Sequence, residues 1–298
     1  MCWKMPVTLF DLPAELWLMI KSYLEPWDLR TIVCLYLADS RFVVLYDWEE
    51  DPDKFWKLAC WHNGIGQFPT DVDQDEGEPS WLGIALECIQ SCGFCRHPYC
   101  GEALLKHNRE HIQENEDYVE ECSAMTFDEG PYTDANLTPN PVLSNVRFRP
   151  STEFRQETYP LEEDAYLHRS DDLDCDVSER AYIGEHPIAA RSFATATPIS
   201  VILLLGVVTE DLPDEYALEL ERPVTVYDVL AMIRKSLDKR LPATDVANHL
   251  EFHWRCAEWN GWDVANASEN LRTTRDVLSV CPIRSLELVE LTISFSLR

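Results

Sequence analysis

Between residues 92 and 111 the chain gathers six side chains able to ligate a metal: Cys92, Cys95, His97, Cys100, His107 and His111. Thiolates and imidazoles at such short spacing suit zinc, which structural sites hold with four ligands in a tetrahedron. Two arrangements compete. Cys92, Cys95, His107 and His111 are spaced C-x2-C-x11-H-x3-H, one residue short of a two-Cys, two-His finger, with Tyr99 and Leu104 or Leu105 near the expected core positions. Alternatively, Cys92, Cys95, His97 and Cys100 close a tight knuckle by themselves. The same stretch also contains H-x-x-E-H, in His107-Asn108-Arg109-Glu110-His111, where a helix would offer a hydrolytic zinc two ligands and a carboxylate base.

The elements that would have to position these ligands argue against most of that chemistry. Trp81, Ile84, Ala85, Cys88 and Ile89 share one helical face, so a helix stands where a finger needs a strand, and basic residues to approach DNA are missing. No third hydrolase ligand can be assigned downstream. There is no G-x-S-x-G and no phosphate-cradling loop, and glycine is scarce at ten residues. Cys256 with His253 reads as a core pair. The expectation is a protein that is not an enzyme and carries no cofactor, its cysteines serving as small apolar residues at a helix end. A structural zinc, or a zinc-binding module or metalloenzyme centred on residues 92–111, is the alternative.

At 298 residues, 46% of them hydrophobic, the chain is long enough for two compact regions. Its net charge is -28, distributed as -4 over residues 1–64, -19 over 65–186 and -5 over 187–298. A polyanion is repelled by phosphate, which excludes nucleic acid and anionic membranes as partners. The longest apolar run, 199–208, is about half of the roughly 20 residues that a membrane helix needs. The opening MCWKMPVTLFDLPAEL has acids and a proline where a signal peptide needs an unbroken apolar run. The eleven cysteines are therefore expected to be reduced, in cytoplasm or nucleus.

Periodicity predicts an α+β protein. A helical module covers residues 9–64, with one stripe of Leu16, Met19, Ile20, Tyr23 and Leu24, a second of Leu29, Ile32, Val33 and Tyr36 behind the cap Asp28, and an apolar group Phe55, Trp56 and Leu58 behind Asp51 and Pro52. Residues 66–80 read as an exposed loop. A helical extension with the Cys/His cluster covers 65–112. Residues 113–186 form an acidic, largely irregular linker in which clusters such as 142–148 can pin onto a folded surface. Order returns over 187–298, an α+β domain with strands in ISVILLLGVV and YALELE, then a helix introduced by the capping-box pair Thr225 and Asp228, and a final strand alternating Leu291, Ile293, Phe295 and Leu297.

Leu12-Pro13-Ala14-Glu15-Leu16, then Ile20, Leu24, Asp28 and Leu29, spells L-P-x-E-L-x3-I-x3-L-x3-D-L without a gap. This resembles the F-box, over roughly residues 9–62. The second half departs from the pattern, with Leu35-Tyr36-Leu37 and the acidic insert 47–53 where a compact third helix is usual. The resemblance implies a substrate-receptor subunit of a Skp-cullin-F-box ubiquitin ligase. Leu12, Pro13, Leu16, Trp17, Ile20, Leu24 and Leu29 would meet the Skp-type adaptor, and the C-terminal region would bind an unknown protein substrate, by helix-in-groove recognition that needs no catalytic group. A non-ligase scaffold with an F-box-like fold is the alternative. Beyond residue 64 the chain is similar to a fungal F-box protein type, through Phe55-Trp56-Lys57, Asn63-Gly64-Ile65-Gly66, His97-Pro98-Tyr99-Cys100-Gly101 and the run from His186 to Thr195. Thr225-Val226-Tyr227-Asp228-Val229-Leu230 is similar to a fungal domain of unknown function.

Overall fold

A computed structural model describes residues 12–24, 27–47, 51–71, 80–113, 138–149, 159–168, 180–205, 217–238, 240, 273, 275–276, 283–289 and 292–297. Short-range capping sets most of its helix starts. Helix α1 (Ala14–Tyr23) begins after Pro13 with Glu15 in its first turn. The Asp28 carboxylate caps α2 (Leu29–Ala38), accepting from the Thr31 hydroxyl at 2.6 Å. Then come α3 (Ser40–Asp47), a helix that the sequence reading did not separate, and α4 (Pro52–Trp61), where Asp51 accepts the Lys54 N–H at 3.1 Å and Pro52 takes a first-turn position. Ser80 caps α5 (Trp81–Cys92), which buries all five residues of its predicted face, and α6 (Gly101–Gln113) follows. Farther on, Thr225 and Asp228 cap each other's backbone N–H at the start of α7 (Val226–Leu237), with the expected Val226, Val229, Leu230, Ile233 and Leu237 inside.

Two sheets complete the α+β architecture. Strands β1 (Val146–Phe148), β2 (Ala165–Leu167) and β3 (Ala181–Tyr182) form a small antiparallel sheet in sequence order. A second sheet has the order β5-β4-β7-β6, built from β4 (Val201–Leu205), β5 (Ala217–Glu219), β6 (Ile283–Val289) and β7 (Thr292–Leu297). Strand β4 runs parallel to β7 and antiparallel to β5, so the chain must cross over between β4 and β7. Leu291 lies outside the described residues.

Two boundaries differ from the sequence expectation. Residues 138–149, 159–168 and 180–186, within the segment read as a largely irregular linker with clusters such as 142–148 pinned to a folded surface, hold the small sheet and a buried acid. Asp164 is fully buried and receives both guanidinium nitrogens of Arg275 at 2.8 Å, with Arg234 Nε at 3.3 Å. Residues 187–195, assigned to a separate C-terminal domain, are packed into the N-terminal helices. The short helix Pro187–Arg191 lies against α5 and α6. Gly66 N–H donates to the Arg191 carbonyl at 2.8 Å and Phe193 N–H to the Gly64 carbonyl at 2.6 Å. Ile188, Ala189 and Phe193 share one continuous core with Ile65, Ile89 and Leu104. The start of the predicted exposed loop is likewise tied down, because Gly66 is buried and Asp71 pairs with Arg191. Gly64 sits at φ +67°, and a side chain there would press on Asn108, which donates to the Asn63 carbonyl at 3.0 Å.

Asp28 also joins distant elements, accepting from Arg109 of α6 at 3.0 Å. Burial alone would raise its carboxyl, but the Thr31 hydroxyl and the Arg109 charge outweigh that and hold it below the ordinary 3.8. A depressed folded-state value means that its contribution is complete above 3.8 and fades as pH falls through the folded value. The stability difference between the parent and Asp28→Asn, measured by urea unfolding, is therefore expected to be largest near neutral pH and to shrink in acid. A difference independent of pH would show that the loss does not come from the carboxylate's charge.

Candidate functional site

The α5–α6 connection brings cysteines together through a tight local turn. The Cys95 N–H donates to the Cys92 carbonyl at 3.0 Å and the Cys100 N–H to the His97 carbonyl at 3.1 Å. Gly101 then enters α6 at φ +59°, where any Cβ would collide with the Cys95 carbonyl oxygen, so the turn requires glycine immediately after Cys100. The residue facing this turn comes from far away. His186, which precedes the Pro187–Arg191 helix, places Nδ1 3.8 Å from Cys95 Sγ across a separation of 91 residues. Ligand atoms of Cys95, Cys100 and His186 all lie within 4.8 Å of one another.

Cys100 is the hub of this cluster. Its sulfur lies within 4.8 Å of the ligand atoms of both Cys95 and His186, and Cys92 stands next to it. The Cys92 contact and burial push the Cys100 thiol up, while burial raises that of Cys95. Backbone donors already point at the sulfurs: His97 N–H reaches Cys95 Sγ at 3.4 Å, and Ile188 N–H reaches Cys92 Sγ at 3.3 Å. Such N–H···S contacts are the outer support that a metal-bound thiolate uses.

Each sequence-predicted ligand can now be placed. Cys95 and Cys100 converge as the knuckle arrangement requires, with Cys92 beside Cys100. His97 does not take the fourth corner, because its Nδ1 accepts the Tyr99 N–H at 3.3 Å and its ring centre lies 6.1 Å from that of His186. His186 stands in its place, and sequence reading missed it as a ligand because nothing local ties it to residues 92–100. His107 and His111 stand away from the cysteines. Six and ten residues along α6 from Gly101, they are displaced by roughly 9 and 15 Å at the helical rise per residue. Their rings lie tilted at 43° with centres 4.1 Å apart, His111 Nδ1 lies 2.9 Å from the His107 carbonyl, and they line a cavity of about 10 Å³ with Asn108, Asn140 and Phe193. Burial and the neighbouring His111 push His107 down. Glu110 lies on the exposed face beside Lys106, and among the described residues no third ligand joins the histidine pair. The finger and hydrolase arrangements are therefore corrected. Cys60 and Cys88 are enclosed core residues whose thiols burial pushes far up.

The α1 surface is the second functional candidate. Of the six large hydrophobic residues that are exposed among those described, four lie on this one helix: Leu16 at 37%, Leu18 at 45%, Met19 at 51% and Tyr23 at 83%. Leu16, Met19 and Tyr23 recur at helical spacing on one stripe. Two expected adaptor-contact positions, Trp17 on α1 and Leu29 at the start of α2, are turned inward. Trp17 is 7% exposed and packs edge-on to Phe42 at 4.3 Å, and Leu29 is fully buried. Both are core residues, since an indole facing inward from α1 fills the space over α3. Pro13 is exposed, and Leu12, Ile20 and Leu24 are half-buried. Leu24 lines a cavity of about 200 Å³ with Trp27, Ile32, Tyr46 and Phe55.

Among the described residues no helix is long and apolar enough to cross a membrane. Comparison of the chain with protein-family models, with curated proteins and with solved structures gave no match.

Proposed function

We propose that this chain is an F-box-type substrate receptor, which docks through α1 on a Skp-type adaptor and presents a protein substrate through its C-terminal half. The observation that carries the reading is the apolar stripe Leu16, Met19 and Tyr23 left in solvent on the helix that bears L-P-x-E-L. A single ten-residue helix with four exposed large apolar side chains is a surface that a partner normally covers. The ligase chemistry belongs to other subunits in this reading, and the chain contributes binding alone. Trp17 and Leu29 hold the module together, whereas Pro13, Leu16, Leu12, Ile20 and Leu24 keep surface for the adaptor.

The exposed positions make the reading testable without breaking the fold. Met19→Asp and Tyr23→Asp put a charge on positions 51% and 83% exposed, so circular dichroism and thermal midpoint should stay near the parent values. In a docked complex the same charge would be buried without a partner. Each substitution is expected to weaken capture of a purified Skp-type adaptor by at least tenfold, about 1.4 kcal/mol. Added salt should change parental capture little, since the contact is apolar. Undiminished capture by the folded double variant would overturn the assignment of the contact to α1, and no capture by the parent would replace this reading with that of a scaffold that has lost the adaptor.

A further inference from the structure

We propose that Cys95, Cys100 and His186, with Cys92 as the fourth donor, form a structural zinc site that clamps the α5–α6 turn to the segment entering the Pro187–Arg191 helix. This inference is independent of the adaptor reading. Zinc bonds of about 2.3 Å to sulfur and 2.0–2.1 Å to nitrogen give tetrahedral edges of about 3.5–3.8 Å. The Cys95–His186 separation of 3.8 Å is close to such an edge, and the two pairs that Cys100 makes with them, within 4.8 Å, need to contract by no more than about an ångström. Cys92 lies just outside that group, its thiol donating to the Cys88 carbonyl at 3.5 Å and accepting from the Ile188 N–H at 3.3 Å, so it completes the tetrahedron by turning its sulfur toward Cys100.

The donor set selects the cation. Three thiols and an imidazole are soft and borderline ligands, which suit zinc and disfavour magnesium or calcium. Each cysteine releases its thiol proton to solvent on binding, and the two backbone N–H donors then face thiolates rather than thiols. The role is structural because all four positions are filled by protein, leaving no open corner for water or substrate. The linkage also has a mechanical sense. The turn 92–100 supplies three ligands within nine residues, but His186 comes from the strand-to-helix junction that feeds Ile188 and Phe193 into the shared core. Metal binding there would add directly to folding free energy by fixing a contact between parts 91 residues apart.

The test uses the full chain, purified with reductant and without chelator. Elemental analysis is expected to find about one zinc per chain, and cobalt(II) exchanged into the site should show visible bands of tetrahedral intensity with sulfur-to-cobalt charge transfer. Cys95→Ser, Cys100→Ser and His186→Ala should each lose the metal. His186→Cys should keep it and strengthen the charge-transfer band, which a site lacking residue 186 could not do. The His107→Ala/His111→Ala double variant should retain full metal content. A zinc chelator should lower the parent's thermal midpoint by several degrees. A metal-free chain whose midpoint ignores zinc and chelator would overturn the proposal. So would a disulfide linking Cys92, Cys95 or Cys100 in the isolated protein, or metal lost from the double variant but kept by His186→Ala. Retention by Cys92→Ser would overturn the four-ligand assignment.

Discussion

A fragment beginning at residue 187 is expected to show no cooperative unfolding transition, although it contains β4 to β7 and the capped helix α7. Its first residues depend on partners that the cut removes. Ile188, Ala189, Phe193 and Ala194 are at most 1% exposed in the full chain, enclosed in the core that includes α5 and α6. Removing residues 1–186 uncovers these side chains, at about 1.5–3 kcal/mol for each of the larger ones. It also leaves Phe193 N–H without the Gly64 carbonyl and the Arg191 carbonyl without Gly66 N–H. Set against a total stability of about 5–15 kcal/mol for a domain, those losses leave little margin. Denaturant unfolding followed by circular dichroism and by a hydrophobic dye should show a broad, sloping loss of signal and strong dye binding. A single steep transition with coincident probes would prove that the C-terminal core is self-contained and that the sequence boundary at 187 is real.

Arg191→Ala should cost the full chain about 3 kcal/mol, because it strips the partly buried Asp71 of its counter-ion. The Arg191 side chain is only 4% exposed. It grips Asp71 through two nitrogens at 2.5 and 3.0 Å, meets Glu87 at 2.7 Å, and lies 3.9 Å above the Phe68 ring. Asp71, at 15% exposure, has little water to replace the guanidinium, whereas Glu87 at 47% stays solvated. The cost should therefore fall mainly on the Asp71 pair. Urea unfolding of Arg191→Ala, Asp71→Asn and the double variant tests this. The double variant should lose clearly less than the two single losses added together, as coupled partners do. Additive losses, or a loss under about 1 kcal/mol for Arg191→Ala, would show a pair screened as surface ion pairs are.

Part of the local chemistry was legible in the sequence. The caps at Asp28 and at Thr225 with Asp228 involve residues no more than three apart, and the structure forms both. The inward faces of α5 and α7 and the strands within ISVILLLGVV and YALELE follow from patterns contained in one element. Residues around 63–66, 97–101, 186–195 and 225–230, each conspicuous alone, turn out to be neighbours through the Ile65–Ser192 and Phe193–Thr225 bridges and the Cys95–His186 contact. Tertiary structure alone decided that convergence. On α1 the six positions from Leu16 to Ile20 and at Tyr23 are large and apolar and cover all sides of the helix, so periodicity cannot say which side faces in, and only packing against Phe42 turned Trp17 inward and left Leu16 outside. The ion pairs Asp71–Arg191 and Asp164–Arg275 span 120 and 111 residues, and His186 reaches Cys95 across 91. A capping or periodic signal reflects the free energy of a few adjacent residues and is written in their order. A charge pair or ligand set depends on which distant segments the core brings within a few ångströms, and residue order does not contain that.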